Sequence, residues 1–369
     1  MATYMNKNFF IGRIMQMFVN SLFLTILGFC ILVAMVDTCW AYTVGSDEPY
    51  QVSTGDKQYY IFTPDAKSEL GALILANRKV NAIYQKSFSW FLTEDTSVII
   101  TSSRNQIANA FATVRPNAMN VYFAGGAPML QDFAGTSWLQ LLVTHEMAHL
   151  YQLDPKQTPS KQLQSVFGNN LAFMTPLAPI FIFPNAFLPT YLVEGNATLN
   201  ESRWGLGGRL QSGYARALVY SLVRNRKLPL KRIINDHLFF PFGEEKYLVG
   251  AYYMAFLANK FGIDKVNKFY LTNGNRYLNP FYLRMSYAEH FYQDYVTLWE
   301  EFLEKTKFEA ERAQILKGHK IIAKSIVPPE LSRVGKRVFF LAQEFADRPE
   351  LVEWNNGKLF SRTTKFDSG

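Results

Sequence analysis

The segment Ser137–Leu153 constrains this chain more than any other. It reads SWLQLLVTHEMAHLYQL, apolar at helical spacing, with Ser137 placed to cap its start and Asp154-Pro155 to end it. Set in that apolar frame are His145, Glu146 and His149. Residues four apart share one face of a helix, one turn above the other. Two imidazoles at that spacing can grip one Zn²⁺, and the glutamate beside the first lies close to a water that zinc acidifies. His145 and His149 are therefore the expected zinc ligands and Glu146 the expected general base.

A third ligand must come from elsewhere. The metzincin continuation fails, because Gln152 and Pro155 stand where Gly and His are required. Thiolate sites fail as well, since the two cysteines, Cys30 and Cys39, lie near the N-terminus. A carboxylate remains. Glu194, in the helix-like run YLVEGNAT, is the expected ligand, with Asp154 as its rival. Glu201, seven residues on and on the same helical face, is placed to orient a ligand histidine.

HEMAH followed by LVEGNAT resembles the gluzincin metallopeptidases, in particular the bacterial peptidase MA-like family. The resemblance covers roughly residues 59–305. It implies a zincin (thermolysin-like) fold of the α+β class, with zinc on His145, His149 and Glu194 and Glu146 as general base. It also implies that Tyr247, in the Y-x-x-G pattern YLVG, donates to the developing oxyanion. Two departures stand out. The glutamate by which aminopeptidases hold a free amine is missing from NAMN at 117–120. Thr198 occupies the place of an aspartate four residues after the third ligand.

Around these motifs the chain reads as a small mixed sheet followed by a mostly helical half. Strands are expected at 59–63, 96–101 and 120–123, and a short helix at 106–111. Helices are expected at 66–84, 192–203, 214–226, 248–261 and 288–305. The strand at 120–123 is the one expected to pair with an extended substrate. The apolar stretch Ala172–Leu192 is broken by prolines 176, 179, 184 and 189 and reads as a groove-lining loop. Strand-like segments at 337–341, 351–354 and 358–361 form a β-rich tail, similar to the first blade of the propeller that follows some members of the family.

Lys7 and Arg13 precede the apolar run Met17–Val36, and Cys39-Trp40-Ala41 offers a cleavage site. Residues 1–41 are read as a signal peptide or a membrane anchor, 45–318 as the peptidase domain and 330–369 as the tail. The body is expected outside the cytoplasm, with a peptide or protein as its substrate. The net charge is +8. It is scattered apart from Arg224–Arg232, and with no nucleic-acid motif it reads as a solvated basic surface. His237 is a lesser oxyanion candidate; His290 and His319 read as surface residues. The expected activity is zinc-dependent endopeptidase cleavage. Two alternatives stay open: a zincin-like scaffold that does not cut, and a zinc hydrolase of a non-peptide amide.

Overall fold

The computed structural model describes residues 49–55, 58–92, 95–101, 110–114, 117–122, 138–153, 155, 185, 187–203, 207–234, 243–275, 283–313, 331–342 and 350–362. The segment expected as a leader, Asp154, His237, His319 and most of the proline-broken loop lie outside them. Among the described residues no helix is long and apolar enough to cross a membrane. The fold is mixed α and β, in two compact units.

The first unit opens with a five-stranded sheet. Its strands are β1 (Gln51–Gly55), β2 (Gln58–Phe62), β3 (Thr96–Thr101), β4 (Ala110–Val114) and β5 (Asn117–Tyr122), in the order β1-β2-β3-β5-β4. The pairs β2/β3 and β3/β5 are parallel; β1/β2 and β4/β5 are antiparallel. Two expectations change here. The expected helix at 106–111 gives way, over its described part, to strand β4, whose β-branched and aromatic residues pair with β5. The strand expected to receive substrate, β5, lies between β3 and β4, so both its edges already carry ladders.

Between β2 and β3 runs α1 (Leu70–Phe88), entered through a 3-10 turn at Pro64–Glu69 and ended by Ser89 in the left-handed conformation (φ 64°). It buries Leu73, Val80, Tyr84 and Phe88, spaced for a single face. The next helix, α2 (Trp138–Leu153), has no polar outer face at all: Leu141 through Gln152 are buried without a break. Such a helix must be wrapped on every side. Tyr84 Oη donates to the Thr144 carbonyl (2.7 Å) and Trp90 Nε1 to the Tyr151 carbonyl (3.1 Å), pinning α2 against α1 and the segment after it.

The helical half comprises α3 (Thr190–Glu201), α4 (Gly213–Arg224), the short α5 (Leu230–Ile234), α6 (Glu245–Phe261), α7 (Ile263–Gly274), α8 (Leu283–Phe291) and α9 (Tyr295–Arg312). Helices α3 and α6 cross backbone to backbone. A Cβ built on Gly195 would stand 2.3 Å from the Gly250 carbonyl carbon, and one on Gly250 would stand 2.4 Å from the Tyr191 carbonyl oxygen. Only glycine permits that approach. Behind the crossing, Tyr191, Tyr253 and Phe302 pack around Trp299, with ring centroids 5.1–5.8 Å from the indole. The single helix expected at 288–305 is two helices. Tyr292 takes a left-handed φ of 58°, and Asp294 then caps α9 by accepting from the Val296 amide (2.8 Å).

The second unit contains a four-stranded antiparallel meander of β6 (Leu331–Val334), β7 (Arg337–Ala342), β8 (Glu350–Asn355) and β9 (Lys358–Ser361). Its turns use Gly335 (φ 62°) and the pair Asn356-Gly357 (φ 47° and 81°). Phe340 and Val352, cross-strand partners, are buried, whereas every residue of β6 and β9 is exposed.

Candidate metal centre

His145 and His149 project from adjacent turns of α2, and Glu194 faces them from the first half of α3. One ligand atom from each lies within 4.8 Å of the other two. Glu194 Oε2 stands 3.2 Å from His145 Nε2 and 3.3 Å from His149 Nε2. The other nitrogen of each ring faces away from this point and meets an acceptor. His145 Nδ1 is 2.6 Å from Glu201 Oε1, a carboxylate oxygen, so the nitrogen donates. His149 Nδ1 donates to Gln152 Oε1 at 3.0 Å.

With both Nδ1 atoms acting as donors, the neutral rings aim their Nε2 lone pairs at a carboxylate. Three acceptors that converge this closely repel one another unless protons or a cation lie between them. In the metal-free protein protons fill the role. Burial by itself would lower the His145 pKa, but the hydrogen bonds to Glu194 and Glu201 overcome it and raise the value to about 10. Burial also works against a charged His149, and the Glu194 charge overcomes it in the same way. Glu194 moves oppositely: burial opposes its ionised form, yet the two histidines hold it well below the usual carboxylate range. Two imidazoles and one ionised carboxylate, each held by a neighbour, could hold a metal ion.

Glu201 is fully buried, and the same Oε1 that accepts from His145 lies 3.5 Å from the Arg209 guanidinium. Arg209 also donates to Thr198 Oγ1 (3.3 Å) and covers the Tyr247 ring, its Cζ 4.7 Å from the centroid. Tyr247, in the first turn of α6, has its ring centroid 6.2 Å from that of His145. Burial, followed by the Glu194 charge, raises the Tyr247 pKa, so the phenol keeps its proton.

The three candidate ligands, Glu201, Arg209 and Tyr247 line one cavity of about 420 Å³. Glu146, His145, His149, Glu194, Arg209 and Tyr247 form its polar floor. Trp138, Leu141 and Leu142 of α2 and Ala110–Ala112 of β4 give it an apolar wall. The Glu146 carboxyl is buried beside the histidines. Burial raises its pKa more than the imidazolium charges lower it.

The structure thus brings His145, Glu146, His149, Glu194, Glu201 and Tyr247 to one place. Asp154, the rival third ligand, and His237 lie outside the described residues. His290, expected at the surface, is half-buried and bonded at both ring nitrogens. Its Nε2 donates to the Lys265 carbonyl (2.6 Å) and its Nδ1 accepts from Thr272 Oγ1 (2.8 Å), joining α8 to α7. Two participants were missed by the sequence. Gln152 carried a usable signal, lying three residues after His149 and hence on the same face. Arg209 follows the loop glycines Gly207 and Gly208, both at positive φ, and no periodicity points to it. A scan of the chain against protein-family models finds no match, and neither does a search of curated proteins.

Proposed function

We propose that this chain is a metal-dependent peptidase of the zincin kind. On this reading His145, His149 and Glu194 hold zinc, the ion best suited to two imidazoles and a carboxylate. The observation that carries the reading is the convergence of three lone-pair donors, each oriented by its own neighbour, on the floor of a cavity that also contains Glu146. A metal held there supplies Lewis-acid activation of water and of a scissile carbonyl.

The chain's own residues supply the rest. Glu146 takes a proton at its carboxylate and returns it to the leaving amine; its raised pKa suits a group that must do both. Tyr247, protonated and held beneath Arg209, donates its phenolic hydrogen to the oxygen that gains charge. Glu201 keeps His145 in the tautomer with Nε2 directed into the cavity, and Arg209 balances its charge. Thr198, standing where thermolysin-like enzymes have an aspartate, leaves orientation of His145 to Glu201, three residues later. The apolar wall of Trp138, Leu141 and Leu142 suits a hydrophobic side chain of a peptide substrate. The substrate-pairing role expected of the central strand is not part of this proposal. On this reading the site acts outside the cytoplasm, as the basic residues and apolar run expected of a leader suggest.

Metal analysis of dialysed protein and cleavage of a broad peptide library test the reading together. Glu194→Gln is expected to lose zinc. Glu146→Gln is expected to keep zinc and lose about 10²–10⁴-fold in cleavage rate. Full activity of the Glu146→Gln protein would sink the proposal.

A further inference from the structure

His149 stands at one end of a hydrogen-bond chain that runs through the interior and leaves the protein on the side of α7. His149 Nδ1 donates to Gln152 Oε1 (3.0 Å). Gln152 Nε2 donates to Asn196 Oδ1 (2.8 Å), and Asn196 Nδ2 to Asn267 Oδ1 (2.9 Å). Asn267 Nδ2 donates to Ser87 Oγ (2.7 Å), and the Ser87 hydroxyl to Asp264 Oδ1 (2.8 Å). Five bonds join α2, α3, α7 and α1. Gln152, Asn196 and Asn267 are wholly inaccessible and Ser87 nearly so, whereas Asp264 is exposed.

Every bond points the same way, and the two ends of the chain enforce that direction. The second hydrogen of Gln152 Nε2 goes to the Val193 carbonyl (3.1 Å), which can only accept. A flipped Gln152 amide would set oxygen against oxygen there, so its Oε1 must face His149. At the far end the Asp264 carboxylate can only accept, so the Ser87 hydrogen must point outward and its lone pairs inward. Asn200 locks the middle: its Nδ2 donates to Asn196 Oδ1 (3.2 Å), leaving Asn196 Nδ2 to donate onward. His149 is left a single role at Nδ1, that of donor. Its Nε2 is thereby turned to the point shared with His145 and Glu194.

We infer that Gln152, Asn196, Asn267, Ser87 and Asp264 form a directional relay that holds His149 in its metal-binding tautomer, so that a surface carboxylate tunes a buried ligand. The inference rests on the metal-site reading above. These are positioning residues, acting through His149. Hydrogen bonds aligned head to tail polarise one another, and the aligned amide dipoles place their negative ends toward the ring N–H. The two histidines are thus supported differently: His145 by a carboxylate in direct contact, His149 by a carboxylate four neutral groups away.

The test uses full-length protein with ¹⁵N-labelled histidine. It reads the exchange protection of each ring Nδ1 proton by NMR, and Zn²⁺ affinity by competition with a chromogenic chelator. Gln152→Met, which removes the acceptor itself, is expected to weaken zinc about 10–100-fold. Asn267→Leu breaks the chain without touching either histidine. It is expected to speed exchange of the His149 Nδ1 proton, leave that of His145 unchanged and weaken zinc about three- to tenfold. Asp264→Asn, at the exposed end, guards against a folding failure of the Asn267 variant; its effects are expected in the same direction and smaller. Unchanged His149 exchange in Asn267→Leu and Asp264→Asn overturns the relay. So does equal acceleration at both histidines, which signals general loosening. Wild-type protein that binds no zinc overturns the functional reading instead, and the exchange measurement on metal-free protein still decides the relay.

Discussion

Replacing Gly195 by alanine sets two effects of opposite sign against each other. Helix propensity favours the change by about 1 kcal/mol, because alanine loses less backbone freedom on folding. The crossing with α6 opposes it. The new methyl carbon would lie 2.3 Å from the Gly250 carbonyl carbon and 2.6 Å from its Cα and oxygen. Carbon contacts relax only near 3.5 Å, so the helices must part by about 1 Å. The atoms struck belong to the backbone and cannot rotate aside. Overpacking of this kind costs about 1–3 kcal/mol, and a rigid neighbour puts it at the upper end. The net expectation is a loss of about 2 kcal/mol, or a Tm about 4–8 °C lower for a domain of this size. Glu194 adjoins Gly195, and metal sites tolerate only about 0.2 Å of ligand displacement, so zinc affinity should fall as well. Thermal melts with and without zinc read both quantities. Gly71→Ala in α1 is the control: nothing lies within 4 Å of its added carbon, and propensity alone should raise Tm. A Gly195→Ala protein that melts at or above the wild-type temperature, with zinc affinity intact, would refute the claim that the glycine crossing sets the position of Glu194.

Other outcomes follow from the charges at the site. The folded-state pKa of His145 is raised from 6.5 to about 10, so its contribution to stability is complete below pH 6.5 and vanishes as pH climbs toward 10. Metal-free protein should therefore melt progressively lower across that window, while zinc, which must displace the proton, binds more tightly across it; a flat Tm profile counts against the arrangement. Glu194, with its pKa lowered from 4.5, contributes above that pH, and its share should disappear under acid titration below it. Tyr247→Phe should leave zinc affinity unchanged and reduce kcat about 10²–10³-fold, as steady-state kinetics on a cleaved peptide would report.

The features legible in the sequence were those governed by helical period. His145 and His149 at i, i+4, and Glu194 and Glu201 at i, i+7, fall on shared faces, and the structure brings all four together. Residue spacing within one helix needs no knowledge of the fold. Long-range pairing does need it. Ala110 and Phe111, the described end of the helix expected at 106–111, open strand β4 instead, because so short a run becomes a strand only through its ladder with β5. Helix α7 was not among the expected helices: Val266, Phe269 and Tyr270 mark its period, but Asn267 and Asn273 interrupt its buried face. Those asparagines are inside because partners satisfy them, Asn196 on α3 for Asn267 and the turn residue Asn185 for Asn273. The break at Tyr292 is equally silent, since neither glycine nor proline announces a left-handed residue there. Arg209 reaches the site from a single 3-10 turn, Arg209–Gln211, too short for a repeat to govern side-chain direction.

The aromatic cluster behind the glycine crossing gives the protein an optical reporter. Trp299 is one of six tryptophans and is almost wholly buried, with its indole edge-on to Tyr191. Tyr191 precedes Glu194 by three residues on the same helix, less than one turn away. Light absorbed by Tyr191 or Tyr253 passes readily to an indole at that range, and a dry indole emits toward the blue. A shift or tilt of α3 therefore changes the distance between donor and acceptor and the wetness of the emitter together. With the other tryptophans replaced by phenylalanine, the emission of Trp299 alone would follow the carboxylate-bearing helix in real time, with no label attached to the protein.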